Sequence, residues 1–346
     1  MIKIRRPLRT IVLSVLAVAL ASGAVAATGV TLAVSQAEAA LQKARSLPLP
    51  NAGHDRTDEF LALYEDGVLD AGAATGRLSE IGKPLHDTRF LIVPGYLTDF
   101  LEVPQSLGLV EHFGGQISAL RDAGFDVEVV DIESEASVEK GAAMVRAAVE
   151  AEDRPVCLIS HSKGGLDALE FLIKAEPQAR KQIICWIALQ APFAGSPVAD
   201  GVASQGLLRW PSEVTLELFG GDGQSLHDHR LDTRAAYLEE HATKIAEIVA
   251  QIPILSVAGR VDEVPLPSKH AVIGYWLNNE GIANDGMVPT WSSVLPGSNF
   301  IVVDGLDHTG VVLEYLFTKP TDRVAVTTAM LTVAFEHAEN FVRPSD

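Results

Sequence analysis

The residues with the clearest chemical potential are a serine, a histidine and a carboxylate that lie far apart in the chain. Ser162 lies in the stretch SHSKGG, residues 160–165, and His308 and two candidate aspartates follow much later. A serine hydroxyl is a weak nucleophile until a histidine takes its proton, and that histidine needs a carboxylate to fix its tautomer. The fold must therefore bring three distant segments together if Ser162 is to react.

The residues around Ser162 predict a sharp turn between a strand and a helix. An apolar run, Val156–Ser160, precedes the serine, and two glycines followed by a helical pattern come after it. Small residues suit such a turn because its backbone is tight. The first turn of the helix would offer N–H groups to an oxyanion. An ordinary strand-to-helix turn with incidental serines is the alternative explanation.

The base and the acid are predicted from their positions after apolar runs. Among ten histidines, His308 lies in the loop directly after the strand run Asn299–Asp304. Two carboxylates compete for the acid. Asp285 lies in the stretch NDGMVP, 23 residues before His308, whereas Asp262 directly follows another strand run.

The body of the chain alternates strand and helix patterns, which predicts an α/β fold. Continuous apolar strands separated by amphipathic helices indicate a mostly parallel, doubly wound sheet covered on both faces. The strand runs are Arg89–Val93, Asp126–Asp131, Val156–Ser160, Ile183–Leu189, Ile252–Val257 and Asn299–Asp304. The clearest helical patterns are Leu109–Ala123, Val138–Glu150, Gly164–Ala175 and Asp322–Phe341, the last as a packing helix. Residues 197–250 contain no obvious strand, and we expect them to form a helical cap.

The motifs together resemble those of α/β-hydrolases, and in particular a lipase-like family found in plants and bacteria. They are SEASVEK (134–140), SHSKGGLDA (160–168), QAPFAGSP (190–197), DGMV (285–288) and PGSNFIVVDGLDH (296–308). The resemblance implies the α/β-hydrolase fold, with Ser162, Asp285 and His308 as a catalytic triad. In this fold the acid and then the base follow the nucleophile along the chain.

The resemblance bears on the choice of acid and on the first residue of the nucleophile motif. The acid loop of bacterial lipases, N-D-G-x-V, favours Asp285, whereas the general hydrolase pattern of strand, Gly and Asp favours Asp262. The nucleophile motif of the fold is G-x-S-x-G, and Ser160 replaces its first glycine here. Serine is small enough for the turn.

An oxyanion formed at Ser162 would need two N–H donors. We expect one from Lys163, the residue after the nucleophile. The other is expected from Tyr96, because the preceding Gly95 lets the loop after the first strand approach the substrate. The Lys163 side chain could steer an anionic product or simply reach solvent, and we expect the second.

The N-terminal residues predict export. Four basic residues and no acidic one lie in residues 1–26, and a long apolar run begins at Ile11. Residues 1–37 are interpreted as a signal peptide, with Ala24-Val25-Ala26 as a possible cleavage site, or as an uncleaved signal anchor. Residues 38–88 form a helical and linker segment with helical patterns at Thr57–Leu69 and Ala73–Ile81, and residues 89–346 form the α/β-hydrolase domain.

Composition limits the possible partners. The chain has 27 basic and 45 acidic residues, a net charge of −18, which argues against nucleic-acid binding. The two cysteines, Cys157 and Cys185, lie in apolar runs, so we expect buried free thiols without a disulfide. No metal-binding spacing is present, and we expect neither a metal nor a cofactor.

These observations predict an exported serine hydrolase that cleaves carboxylic esters of small molecules or lipids. A thioesterase, an amidase or a polyester depolymerase would use the same triad on another leaving group. A non-catalytic binding protein with this fold, or an interaction protein anchored in the membrane, are further alternatives. An intact serine, aspartate and histidine in the expected order disfavour these last two.

Overall fold

A parallel sheet forms the centre of the molecule. The computed structural model describes residues 53–82, 85, 87–95, 113–133, 136–205, 224–262, 274, 277–312 and 322–339. Six strands lie in the order β2-β1-β3-β4-β5-β6, and each neighbouring pair is parallel. The strands are β1 (Arg89–Val93), β2 (Asp126–Val129), β3 (Val156–His161), β4 (Ile183–Leu189), β5 (Ile254–Arg260) and β6 (Asn299–Asp304). This sheet confirms the predicted α/β architecture.

Helices cover both faces of the sheet. They are α1 (Thr57–Leu69), α2 (Ala71–Gly82), α3 (Gly114–Asp122), α4 (Val138–Glu150), α5 (Lys163–Lys174), α6 (Pro177–Gln182), α7 (Pro197–Gln205), α8 (Gln224–Asp228), α9 (Leu231–Glu240), α10 (Ala242–Gln251) and α11 (Arg323–Glu339). Side chains from α1, α2, α3 and α11 share one apolar cluster, and those from α4, α5, α6 and α10 share the other.

The apolar residues of β3, Val156–Ile159, are explained by burial on both faces of the sheet. Cys157 and Ile159 belong to the cluster on one face, whereas Val156 and Leu158 belong to the cluster on the other. A strand buried on both faces needs a continuous apolar run rather than an alternating one. The chain adds β2 on one side of β1 and β3 on the other, so the direction of strand addition reverses between β1 and β3. Open α/β sheets bind ligands at the carboxyl ends of the strands at such a point, and β3 ends there.

Helix α11 has a long buried stretch. Every residue from Ala325 to Phe335 is buried, between the sheet and the pair α1 and α2. The predicted packing helix is therefore confirmed. Within the ranges described above, no helix is both long enough and apolar enough to cross a membrane.

The segment before the sheet is attached to its far edge. Gly53 N–H donates to the main-chain oxygen of Ser298, and Phe300 N–H donates to that of His54. Helices α1 and α2 then pack against α11. The predicted signal segment, residues 1–37, lies outside the described residues.

The cap region is helical where it is described. Helices α7, α8, α9 and α10 all lie within residues 197–251, and residues 206–223 fall outside the described part. Helix α10 differs from the others because its Ile245 and Ile248 are buried in the core beside the sheet. The name cap is kept for α7, α8 and α9, the helices of the predicted cap other than α10.

The prediction of free thiols was wrong. Cys157 and Cys185 form a disulfide, with Cα atoms 4.7 Å apart. The two residues are direct neighbours in the register of β3 and β4, and both side chains point to the same face. Burial was predicted correctly, but the pairing depends on which strands are neighbours, and the apolar runs do not reveal that.

Candidate active site

Ser162 lies at the apex of the turn between β3 and α5. Its backbone has φ 52° and ψ −127°, a positive φ that non-glycine residues rarely adopt and that often marks a functional turn. The two glycines that follow allow close packing. A Cβ atom on Gly164 would lie 2.3 Å from the main-chain oxygen of Val93, and one on Gly165 would lie 2.3 Å from Cβ of Ala191.

Three of the predicted residues form one hydrogen-bonded chain. The Ser162 hydroxyl donates to Nε2 of His308 over 3.0 Å, and Nδ1–H of His308 donates to Oδ2 of Asp285 over 2.8 Å. Because the carboxylate can only accept, its bond assigns the ring proton to Nδ1 and leaves the Nε2 lone pair facing Ser162. His308 and Asp285 are both buried.

Asp285 is held by its own loop. Its Oδ1 accepts hydrogen bonds from the N–H groups of Met287 and Val288 over 2.9 and 2.8 Å. The main-chain N–H of His308 donates to the main-chain oxygen of Asp285 over 2.7 Å. The acid loop and the base loop are therefore joined through the main chain as well as through their side chains.

A glycine at the end of β5 lets these two loops approach each other. A Cβ atom on Gly259 would lie 2.3 Å from the main-chain oxygen of Leu306 and 2.8 Å from Cβ of Asp285. The neighbouring Gln190 donates its Nε2–H to the main-chain oxygen of Asp307 over 3.0 Å. Strands β4 and β5 thus support the loops that carry the acid and the base.

The competing carboxylate, Asp262, lies elsewhere. Its side chain is exposed in the turn after β5. Its main-chain oxygen accepts a hydrogen bond from Nδ2 of Asn278 over 2.6 Å. The carboxylate that accepts the hydrogen bond from Nδ1–H of His308 is that of Asp285.

The structure describes one of the two residues that are predicted to donate to the oxyanion. Lys163 directly follows Ser162 and is the first residue of α5. Tyr96 lies outside the described residues. The preceding Gly95 packs on the serine, and a Cβ atom there would lie 2.9 Å from Cβ of Ser162.

The expectation that the Lys163 side chain reaches solvent was wrong. Its ammonium is buried and donates to both carboxylate oxygens of Asp167, over 2.9 and 2.8 Å. Burial raises the pKa of the Asp167 carboxyl to about 7, although the neighbouring Lys163 lowers it. Helix α4 packs against this face of α5, and its Gly141 lies directly on the Asp167 carboxylate. The sequence around Lys163 does not indicate this packing.

Buried polar groups of the cap lie near this ion pair. His229 donates Nδ1–H to the main-chain oxygen of Ser225 over 2.7 Å, and burial lowers the pKa of its imidazole to about 3. Arg234 donates Nε–H to the main-chain oxygen of Phe193, and burial lowers the pKa of its guanidinium to about 10. Both side chains therefore bind main-chain oxygens rather than the ion pair itself.

Sequence reasoning missed one histidine beside the site. His161 is buried at the end of β3, and its Nε2–H donates to the main-chain oxygen of His308 over 2.8 Å. Its position next to the nucleophile was the only signal in the sequence. A histidine inside an apolar strand run could equally be a core residue, so the spacing alone does not assign it.

Acidic residues near the base have partners within the protein. Asp304 pairs with Arg260, and Oδ1 of Asp307 accepts hydrogen bonds from the N–H groups of Thr309 and Gly310. In the part of the chain that the structure describes, no group of three His, Cys, Asp or Glu residues is arranged to hold a metal ion.

Comparison with known proteins identifies the fold. The family model for lecithin:cholesterol acyltransferase matches residues 110–207, less than a third of the chain. A metagenomic carboxyl esterase, MGS0156, superposes with a TM-score of 0.56 at 20% identity, over 74% of this chain and 77% of that one.

A second structure gives the same result. The mature Bacillus licheniformis lipase BlEst2 superposes with a TM-score of 0.50 at 19% identity, over 73% of this chain and 92% of that one. No curated protein matches the sequence significantly. Together with the strand order, these likenesses establish that the chain has the α/β-hydrolase fold, as its motifs predicted.

Proposed function

We propose that this protein is a serine hydrolase that cleaves carboxylic esters through an acyl-enzyme intermediate. The observation that carries the proposal is the hydrogen-bonded chain from Ser162 through His308 to Asp285 at the carboxyl edge of the sheet. A histidine with a proton on Nδ1 and a lone pair directed at a serine is arranged to act as a general base.

In the first half of the reaction, the Ser162 oxygen attacks the carbonyl carbon of the ester. His308 takes the hydroxyl proton on Nε2 as the new carbon–oxygen bond forms. Asp285 holds the ring in this tautomer and stabilises the imidazolium that results. His308 then gives the proton to the departing alcohol, which leaves the acyl group on Ser162.

The oxyanion of each tetrahedral intermediate needs donors that are already in place. We propose the Lys163 N–H as one of them, because Lys163 directly follows the nucleophile. The second is proposed to be the N–H of Tyr96, which follows the loop that packs on Ser162. In the second half, His308 takes a proton from water, the hydroxide attacks the acyl carbon, and Ser162 leaves with that proton.

An ester of a small molecule or a lipid is the proposed substrate class. The two solved structures with the same fold are called a carboxyl esterase and a lipase, and the matching family model is called an acyltransferase. All three names describe the handling of an acyl ester, which supports an ester over a thioester or an amide.

Covalent labelling tests the nucleophile. We expect a fluorophosphonate probe to label the wild-type protein and the Ser79→Ala variant, because Ser79 is exposed on α2, far from the site in sequence. Ser162→Ala should not be labelled. Equal labelling of Ser162→Ala and the wild type would contradict the assignment.

A substrate panel tests the reaction. p-Nitrophenyl esters of increasing acyl length should be hydrolysed by the wild type and not by Ser162→Ala, and matched thioester and anilide substrates should react more slowly. Faster turnover of the thioester or the anilide would replace the ester hydrolase by a thioesterase or an amidase.

We also propose that the protein is exported. The basic and apolar N-terminal segment motivates this proposal, and the disulfide between Cys157 and Cys185 supports it, because such bonds persist mainly in oxidising compartments. Mass spectrometry of the protein from separated cell fractions tests it. A reduced, full-length protein found only in the cytoplasm would contradict export.

A further inference from the structure

His161 occupies an unusual position, because it is the last residue of the strand that delivers the nucleophile. Its side chain is buried, and its ring centre lies 4.9 Å from that of His308. The ring of Phe113 also contacts it, nearly perpendicular, with ring centres 6.3 Å apart. The imidazole therefore has both an apolar neighbour and the proposed base in contact with it.

The direction of its hydrogen bond follows from its partner. Nε2 of His161 lies 2.8 Å from the main-chain oxygen of His308, and a carbonyl oxygen only accepts. Nε2 of His161 therefore carries the ring hydrogen and donates the hydrogen bond. The bond joins two residues that are 147 positions apart in the chain.

This bond completes the support of the base. The main-chain N–H of His308 donates a hydrogen bond to the main-chain oxygen of Asp285. The main-chain oxygen of His308 accepts one from Nε2–H of His161. The base is thus held from the acid loop on one side and from the nucleophile strand on the other. Since Ser162 follows His161 directly, the bond ties the base to the element that carries its proton donor.

We propose that His161 is a positioning residue, which keeps Nε2 of His308 within reach of the Ser162 hydroxyl by binding the main chain of the base. The inference rests on the proposed function and extends it. A histidine that only filled space between Phe113 and His308 would be replaceable by any ring of similar size. A positioning residue would be replaceable only by a side chain that donates at the same point.

Two kinds of substitution separate these roles. In His161→Gln the amide N–H₂ lies where Nε2–H of histidine lies, so the donor remains and the ring is lost. In His161→Phe the ring remains and the donor is lost, and His161→Met is a second variant without a donor. His54→Gln is the matched control, because His54 is exposed beside the amino end of β6.

We expect the variant that keeps the hydrogen-bond donor to retain esterase activity and the variants without the donor to lose most of it. His161→Gln should keep kcat for a p-nitrophenyl ester within about threefold of wild type, with KM similarly unchanged. His161→Phe and His161→Met should lose roughly 10- to 100-fold in kcat with little change in KM, because a small displacement of a catalytic group costs up to about 100-fold. Equal kcat in Phe, Met and wild type would overturn the proposal, as would a loss in His161→Gln as large as that in His161→Phe.

A second measurement separates failure of this inference from failure of the proposed function. If the wild type hydrolyses no substrate and takes no probe, the proposed function has failed. The low-field NMR resonance of the His308 Nδ1 proton then still reports the placement of the ring. Its retention in His161→Gln and loss in His161→Phe would support the positioning role, and its retention in every variant would overturn it. If His161→Phe and His161→Met do not fold, kcat or this resonance in His161→Gln decides by itself.

Discussion

The indole N–H of Trp186 donates a hydrogen bond to the hydroxyl oxygen of Ser160 over 2.8 Å, and both residues are fully buried. Ser160 occupies the position of the first glycine in the nucleophile motif. The bond explains this departure, because a glycine would leave the indole N–H of β4 without this acceptor. The turn can still form, because the Ser160 side chain lies on the face of the sheet that also carries Trp186.

The hydrogen bond between Trp186 and Ser160 is expected to stabilise the folded protein. Ser160→Ala should lower the free energy of unfolding by about 1–3 kcal/mol, because it leaves a buried donor unsatisfied. The change in kcat should be small, since Ser160 does not contact the proposed triad. Urea denaturation measures the difference, and Ser79→Ala on the exposed surface of α2 should change stability by less than about 0.5 kcal/mol. An unchanged midpoint in Ser160→Ala would show that the hydrogen bond contributes little.

The identity of the acid can be tested with two amide variants. Asp285→Asn should lower kcat by about 10³- to 10⁴-fold, because its amide nitrogen would face Nδ1 of His308 and favour the wrong tautomer. The amide oxygen can still accept from Met287 and Val288, so the loop should keep its shape. Asp262→Asn is the matched control, and we expect it to leave kcat within about twofold of wild type, since the side chain is exposed. A larger loss in Asp262→Asn would reverse the assignment of the acid.

Most elements of the sheet could be predicted from the sequence because their signals are local. The apolar runs gave the bounds of β1, β4 and β6 as the structure has them. The run at Ile252–Val257 was less accurate, since β5 begins at Ile254 and continues to Arg260. Pro253 explains the late start, because proline has no N–H to donate to the neighbouring strand.

The contacts around the site could not be predicted, because they depend on which elements meet. The sequence does not show that the Lys163 ammonium is buried with Asp167, because its exposure depends on the packing of α4 against α5. The pairing of Cys157 with Cys185 requires that β3 and β4 are neighbours in register. The order of Ser162, Asp285 and His308 along the chain could be recognised because it belongs to a known pattern, whereas their distances could not.

The buried imidazole of His229 predicts that the folded protein loses stability in acid. Burial lowers the pKa of His229 to about 3, with Lys163 and Arg234 as nearby cations that act in the same direction. The same imidazole titrates near 6.5 in the unfolded chain. Between these two values the unfolded chain binds more protons, so the free energy of unfolding falls as the pH falls.

The substitution His229→Asn tests this linkage, because asparagine can still donate to Ser225 and does not titrate. From pH 6.5 downwards the wild type should lose roughly 1 kcal/mol of stability per pH unit relative to the variant. Urea denaturation between pH 4 and 7 measures both curves. His54→Asn, at an exposed histidine, should give a curve parallel to that of the wild type. Parallel curves for His229→Asn and the wild type would exclude a buried neutral imidazole.

The contact of Gly95 with Ser162 predicts that a single methyl group can disable the site. In Gly95→Ala the new Cβ atom would lie 2.9 Å from Cβ of Ser162 and 3.0 Å from the main-chain oxygen of His161, which is too close. Either the serine or the loop must move, and a shift of about 1 Å should lower kcat by about 100-fold. Both the ester assay and the rate of fluorophosphonate labelling measure this loss.

Gly76→Ala is the matched control for this substitution. A Cβ atom on Gly76 would meet no other atom within 4 Å, and the residue lies exposed inside α2. We expect normal kcat and a gain in stability of about 0.5–1 kcal/mol, because alanine is a better helix former than glycine. If Gly95→Ala is as active as Gly76→Ala, the loop after β1 does not lie against the nucleophile, and the proposed second oxyanion donor on that loop loses its support.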